Sequence, residues 1–214
     1  WCRCANAALP GAPAPASQNR YLRLSPFDPL ARRTITEIYQ DLGKHSAFHG
    51  VLFHDDATLS DYEDASPAAL AVYRDQWHLS GVMEELRNDP QVRRLWAQKK
   101  TAYLNDFSLQ LAATLRKYQP ALMTARNIYA EVILNPDSED WFAQTYPSFL
   151  ATYDYTPIMA LPYMGGAKDG TARRRPPPGR SNARKIARSS TCGTCTITAY
   201  SRATNFGRDR SRVA

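Results

Sequence analysis

Asp55 and Asp56 are adjacent carboxylates that stand where a short apolar run, Gly50-Val-Leu-Phe53, gives way to His54 and then to an acidic stretch. Val51, Leu52 and Phe53 read as a buried strand. In parallel α/β folds, reactive groups collect where such strands end and the following loops open to solvent. A pair of carboxyl groups placed there suits acid-assisted cleavage of a glycosidic bond. An acid protonates the leaving oxygen, while a carboxylate or an acetamido group of the substrate supports the developing cation. Side chains alternate along a strand, so both carboxylates reach one opening only if the strand ends at His54. The same residues would also serve as a solvated loop that caps the next helix.

Asp61, Glu63 and Asp64 continue the acidic stretch, and would either solvate and cap it or attract cationic groups. His54 is expected to be hydrogen-bonded rather than bound to a metal, because no second His or Cys lies at ligand spacing. Arg126 and Asn127 interrupt an otherwise apolar strand candidate and need polar partners there. They would bond sugar hydroxyls, or equally form a polar layer near the opening. Tyr21, Trp141 and Tyr163 sit near strand ends or helix starts, where a flat aromatic face could stack on a sugar ring; each would serve equally as core. Cys192-Gly-Thr-Cys195 has redox or half-zinc spacing, but the second half of a zinc site and a strand-helix context are both missing.

The elements that must position these groups follow from periodicity. Arg20–Phe27 alternates as a strand, and Asp28-Pro29 then opens a helix to about Lys44 with Ile35, Ile38, Tyr39 and Leu42 as its apolar stripe. After the strand at 50–53, Ser66-Pro67 opens a second helix to about Trp77. A long helix is expected from Pro90 to Tyr118, with Trp96, Tyr103, Phe107, Leu111, Leu115 and Tyr118 as a core-facing row. Residues 121–130 form a third strand candidate, 136–150 a short helix with a capping start at Ser138, and 155–165 a fourth strand. This alternation predicts an α/β fold, a partial (β/α)8 barrel of about four strands with disordered ends. A complete barrel of that kind takes about 250 residues. The expected organisation is a disordered leader at 1–19, the partial barrel at 20–166 and a disordered basic tail at 167–214.

The net charge of +7 over 214 residues is unevenly spread. From Lys168 onward there are 12 of the 27 basic and 2 of the 20 acidic side chains, which leaves 15 basic against 18 acidic in residues 1–167. The basicity therefore belongs to the tail, whose Arg173–Arg175 cluster lacks any reading element, and nucleic acid is not expected as a partner. No stretch of about 20 apolar residues suggests a membrane-spanning helix. The start at Trp1 has neither an initiator Met nor the pattern of a signal peptide, so the chain is expected to be a fragment. The change of composition after Gly165-Gly166 is expected to mark an out-of-frame segment, as a frameshift would produce, with too little apolar content to fold.

Six spaced motifs carry a family resemblance: Arg23-Leu-Ser-Pro-Phe-Asp-Pro29, Leu52-Phe-His-Asp-Asp-Ala57, Leu59-Ser-Asp-Tyr-Glu-Asp-Ala-Ser66, Thr124-Ala-Arg-Asn127, Trp141-Phe-Ala-Gln144 and Ile158-Met-Ala-Leu-Pro-Tyr163. Over about Arg20 to Gly165 the chain resembles the C-terminal glycoside hydrolase domain of the PgaB family of poly-β-1,6-N-acetyl-D-glucosamine (PNAG) N-deacetylases. The resemblance implies a (β/α) barrel that binds partly de-N-acetylated PNAG and, in some members, hydrolyses it as a family 153 glycoside hydrolase. It makes Asp55 and Asp56 the catalytic candidates, and Tyr21, His54, Glu63, Arg126, Asn127, Trp141 and Tyr163 the substrate-binding ones. No cofactor is implied for this domain; the deacetylase domain of the family, absent from this sequence, would need a divalent metal. The resemblance also implies work in biofilm polysaccharide export, in the periplasm or on the periplasmic side of the outer membrane, beside the export machinery. The alternatives are a non-catalytic polysaccharide-binding module and an inactive truncated product.

Overall fold

The computed structural model describes residues 23–160 together with the backbone of two later strands, 187–192 and 195–201. Helix α1, Pro29–His45, starts as its sequence dictates: Asp28 accepts from the Leu30 amide and proline fills the first turn. Strand β1, Gly50–Phe53, leads through the acidic loop to α2, Pro67–Asp75, capped by Ser66 through the Ala69 amide. Helix α4, Pro90–Arg116, is capped by Asp89, which accepts from the amides of Gln91 and Val92. Between α2 and α4 lies α3, Met83–Asn88, which the sequence reading did not anticipate.

Strands β2, Met123–Arg126, and β3, Ile128–Tyr129, are followed by α5, Ala130–Leu134. A 3-10 turn at Pro136–Ser138, α6 at Glu139–Phe142, α7 at Tyr146–Thr152 and β4 at Tyr155–Ala160 complete the main body. Strands β5, Ala187–Cys192, and β6, Cys195–Ser201, form an antiparallel pair. The sheet runs β1-β2-β4-β6-β5, with β3 also on β4; β1 to β4 are mutually parallel, and β6 is antiparallel to β4. Four parallel strands in one unclosed sheet, layered against helices, is the expected α/β class.

Several expectations are corrected. The strand over 20–27 reduces to a single bridge residue, Leu24, within the described part. The reason is a turn at 25–28 in which the Asp28 amide bonds Ser25 O and the Phe27 amide bonds Ser25 Oγ. The 121–130 strand breaks at Asn127, whose amide reaches across to Phe53 O at 3.1 Å. The single helix over 136–150 is divided at Ala143, which adopts a left-handed backbone with φ 48°. Thr145, not Ser138, supplies the side-chain cap of α7. Two of the residues placed on the α1 stripe, Ile38 and Leu42, are exposed, while Ile35 and Tyr39 pack on the core. The 1–19 leader lies outside the described residues. So does most of 167–214; within that expected disordered tail the backbone of β5 and β6 is in strands, which corrects the expectation there.

The core falls into two clusters, and α4 supplies both. Phe107 and Leu111 join Phe53, Ile128, Phe149, Tyr153 and Ile158 beneath the sheet. Trp96 and Leu104 join Phe27, Leu59, Tyr73 and Leu86 beneath the acidic loop. Leu59 is the apolar anchor of that loop, and burying one such side chain contributes roughly 1.5–3 kcal/mol. Of the aromatic row on α4, Trp96, Phe107, Leu111 and Leu115 are buried as expected, whereas Tyr118 is exposed. Phe53, Thr124 and Arg126 point to the helices, and Leu52, Met123 and Tyr155 lie exposed on the opposite face of the sheet.

Candidate active site

Strand β1 ends at Phe53, and the chain then turns so that the three following side chains share one opening. Asp55 is turned inward and only 5% exposed, whereas the side chains of Asp56 and His54 remain 64% and 67% exposed. His54 Nδ1 lies 2.7 Å from Asp55 Oδ1 and 3.4 Å from Asp56 Oδ2. The first approach is close enough for charge attraction, yet its angle is not that of a hydrogen bond, and Asp55 Oδ1 stays without one. The other Asp55 oxygen, Oδ2, accepts from the Tyr129 hydroxyl at 2.7 Å. Burial, that hydrogen bond and the charges of Asp55 and Asp56 together hold the Tyr129 phenol well above the usual tyrosine range, so it remains a proton donor to Asp55. One ligand atom from each of His54, Asp55 and Asp56 lies within 4.8 Å of the others, close enough to share a cation.

The loop that follows has no regular structure of its own, and four cationic side chains from elsewhere secure it. Arg23 donates through Nη1 to Asp56 O at 3.4 Å and Thr58 O at 2.8 Å, and through Nη2 to both Glu63 carboxylate oxygens at 2.6 Å. Arg126, fully enclosed, donates to Ala57 O at 2.8 Å, Asn105 Oδ1 at 2.7 Å and the Tyr153 hydroxyl at 3.0 Å. Lys100 donates to Ser60 O at 2.7 Å and Glu63 O at 3.2 Å. Arg87 stacks on the Tyr62 ring at 3.7 Å and lies 3.7 Å from Asp61.

These contacts sort the candidate residues. Asp55, Asp56 and His54 come together. Glu63 is buried and its carboxylate is engaged by Arg23 and by the amide and hydroxyl of Ser60, so it builds the loop instead of facing a ligand. Asp64 is buried too, accepting from Ser25 Oγ and from the Ser66 amide at 2.8 Å. Arg126 has its donors turned to the protein interior, and Asn127 is buried beside the end of β1. Trp141 is 55% exposed on α6 and remains available to a ligand. Tyr21 and Tyr163 lie outside the described residues. Sequence reasoning missed Tyr129, Arg23 and Lys100 as parts of the site. Arg23 stood at the head of the first motif, but its partners lie 33 to 40 residues away.

Comparison with known proteins follows the same residues. A family model described as hypothetical glycosyl hydrolase family 13 matches residues 5–174. The chain belongs to that family. Two Escherichia coli relatives, from strains K12 and O157:H7, are each called poly-beta-1,6-N-acetyl-D-glucosamine N-deacetylase. Each is 47% identical to this glycosyl hydrolase family member over 154 residues, covering 72% of this chain and 23% of the relative. The chain thus spans about a quarter of the length of these curated relatives. The solved PgaB (BpsB) glycoside hydrolase domain from Bordetella bronchiseptica superposes with a TM-score of 0.68 at 43% identity, over 73% of this chain and 45% of that one. The resemblance carried by the six motifs is therefore borne out, and it covers the acidic opening at the end of β1.

Proposed function

We propose that this family member is part of a protein that processes PNAG, and that its acidic opening binds and hydrolyses partly de-N-acetylated polymer with Asp55 and Asp56 as the catalytic pair. The observation that carries the reading is the asymmetric pair at the end of a parallel strand: one carboxylate buried and oriented by a tyrosine hydroxyl, the other open to solvent. Asp56 reaches a bound sugar from the solvent side and serves as proton donor to the leaving oxygen. Asp55, fixed by Tyr129, supports the positive charge that develops at the sugar or orients the acetamido group that does so. Their oxygens lie within 4.8 Å of each other. Trp141, exposed on α6, offers a stacking face.

The parallel sheet is read as part of a (β/α) barrel. The resemblance to PgaB supports a place in biofilm polysaccharide export, in the periplasm on the outer-membrane side and beside the export machinery. Product analysis after incubation with partly deacetylated polymer tests the activity. The chain should release oligosaccharides, and an Asp55→Asn, Asp56→Asn double variant should bind polymer without cleaving it. Undiminished cleavage by the double variant overturns the assignment; binding without any cleavage by the unaltered chain makes the domain a polysaccharide-binding module.

A further inference from the structure

Lys100 lies within α4 with no exposed surface, its Nζ 3.6 Å from the centre of the Trp96 ring. It donates to Ser60 O and Glu63 O, the two ends of a turn closed by the Glu63 amide on Ser60 O at 3.1 Å. That turn presents the Glu63 carboxylate to Arg23, and Arg23 in turn holds the carbonyls of Asp56 and Thr58. A continuous run of polar contacts thus leads from the interior of α4 to the backbone of the acidic pair. We propose that Lys100 is a positioning residue: by gripping the carbonyls of Ser60 and Glu63 it fixes the turn through which Arg23 is aligned on the Asp56 carbonyl. The inference rests on reading Asp55 and Asp56 as the catalytic pair.

The charge on Lys100 sets the pH response of the turn. Asp61 and Glu63 from the loop and Glu139 and Asp140 from α6 face it and favour the ammonium, but burial outweighs them and lowers its pKa to about 7. The neutral amine keeps two N–H donors, enough for both carbonyls. Opening the turn lets water reach Nζ and returns it toward the ordinary value of 10.5. Between about pH 7 and 10.5 the open form therefore holds more protons than the closed form, and raising the pH favours closure. Below about 7 both forms hold the proton, and the balance no longer changes with pH.

Hydrogen exchange on the full chain with millisecond mixing, from about pH 6 to 9 and corrected for intrinsic rates, reads this directly. The reporters are the amides of Ser60, Tyr62, Glu63 and Asp64, bonded respectively to Glu63 Oε2, Ser60 Oγ, Ser60 O and the Tyr73 hydroxyl. Their protection should be flat below about pH 7 and rise up to about tenfold per pH unit above it. Lys100→Met should leave them poorly protected at every pH, with protection retained in the Leu104–Leu115 part of α4. Polymer hydrolysis by Lys100→Met should show a fall in kcat larger than any rise in KM. Loop protection that ignores pH in the unaltered chain, or wild-type protection in Lys100→Met, overturns the proposal. If the variant does not fold, α4 protection is lost as well and the pH series on the unaltered chain decides alone. The expected exchange without hydrolysis by the unaltered chain would refute the enzymatic reading and leave the role of Lys100 in the loop standing.

Discussion

Arg126→Met removes a buried guanidinium while keeping an unbranched stem about as far as the position of Nε. Its Nη1 bonds Asn105 Oδ1 and the Tyr153 hydroxyl, its Nη2 bonds Ala57 O, and its Nε has no partner. After the substitution Asn105 Oδ1 still accepts from the Tyr153 hydroxyl at 3.0 Å, so the orphaned acceptor is Ala57 O. Ala57 is exposed, so its carbonyl can turn to water and the lost bond costs about 0.5–1.5 kcal/mol. Loss of the guanidinium from the Phe149 face, now 4.6 Å away, adds on the order of 1 kcal/mol. Removing a buried charge and the unbonded Nε offsets part of this, which leaves a net loss of about 1–2 kcal/mol. A chain of this size should then melt about 2–8 °C lower by circular dichroism. Ala57 follows the proposed catalytic pair directly, and a small displacement there would cost roughly a hundredfold in rate. Hydrolysis measured well below the melting range should therefore fall by about that factor. Arg126→Met that melts at or above the unaltered temperature and cleaves polymer at the unaltered rate would refute the view that Arg126 holds the loop.

Tyr129→Phe takes away the hydroxyl that donates to Asp55 Oδ2. It should destabilise by about 1–3 kcal/mol in urea titration and lower kcat more than it raises KM. Burial raises Tyr39 and Tyr103 as well, so in alkaline spectrophotometric titration the late-ionising tyrosines should be fewer by one in the Tyr129→Phe trace, because burial, the bond to Asp55 and its charge keep the Tyr129 proton in place. Asp89→Ala removes the acceptor for the first amides of α4 and should cost about 1 kcal/mol of stability. Polymer hydrolysis should be unchanged in that variant.

The parts of the fold legible in the sequence are those whose causes are local. Asp28-Pro29, Ser66-Pro67 and Asp89-Pro90 each place an acceptor before a proline in the first turn, and α1, α2 and α4 start at those prolines. Helix α3 has six residues and no side-chain cap; the complete burial of Leu86 in the cluster beneath the loop is what ties it down, a tertiary cause invisible to periodicity. The break of the third strand at Asn127 is similarly non-local, because its amide is claimed by Phe53 O. At the site, the strand end and the two aspartates could be read directly from the Leu52-Phe-His-Asp-Asp-Ala57 motif. Tyr129 could not, since it meets Asp55 across 74 residues of sequence. Glu63 was open to misreading for the same reason: a carboxylate in an acidic run looks available to a ligand until the partner from before α1 is known.

The charges around the loop explain why one aspartate, and not the acidic run as a whole, presents its carboxyl group to solvent. Of the loop carboxylates, Asp55, Glu63 and Asp64 are buried and Asp61 lies within reach of Arg87, while Asp56 stays open. Arg23, Arg87, Lys100 and Arg126 offset the acidic charge from within, and three of them bond loop carbonyls. The acidic side chain open to solvent is thereby narrowed to Asp56, where the proposed hydrolysis needs its proton donor. Lys100 shows the energetic side of this arrangement. With its pKa lowered from 10.5 to about 7, the folded chain below neutrality carries an ionic penalty of up to roughly 5 kcal/mol, comparable to the net stability of a small domain. A methionine at that place would avoid the penalty and fill the same volume against Trp96. It would supply no donor to Ser60 O or Glu63 O, so the stability given up at Lys100 is the cost of fixing a turn that has no secondary structure to fix it.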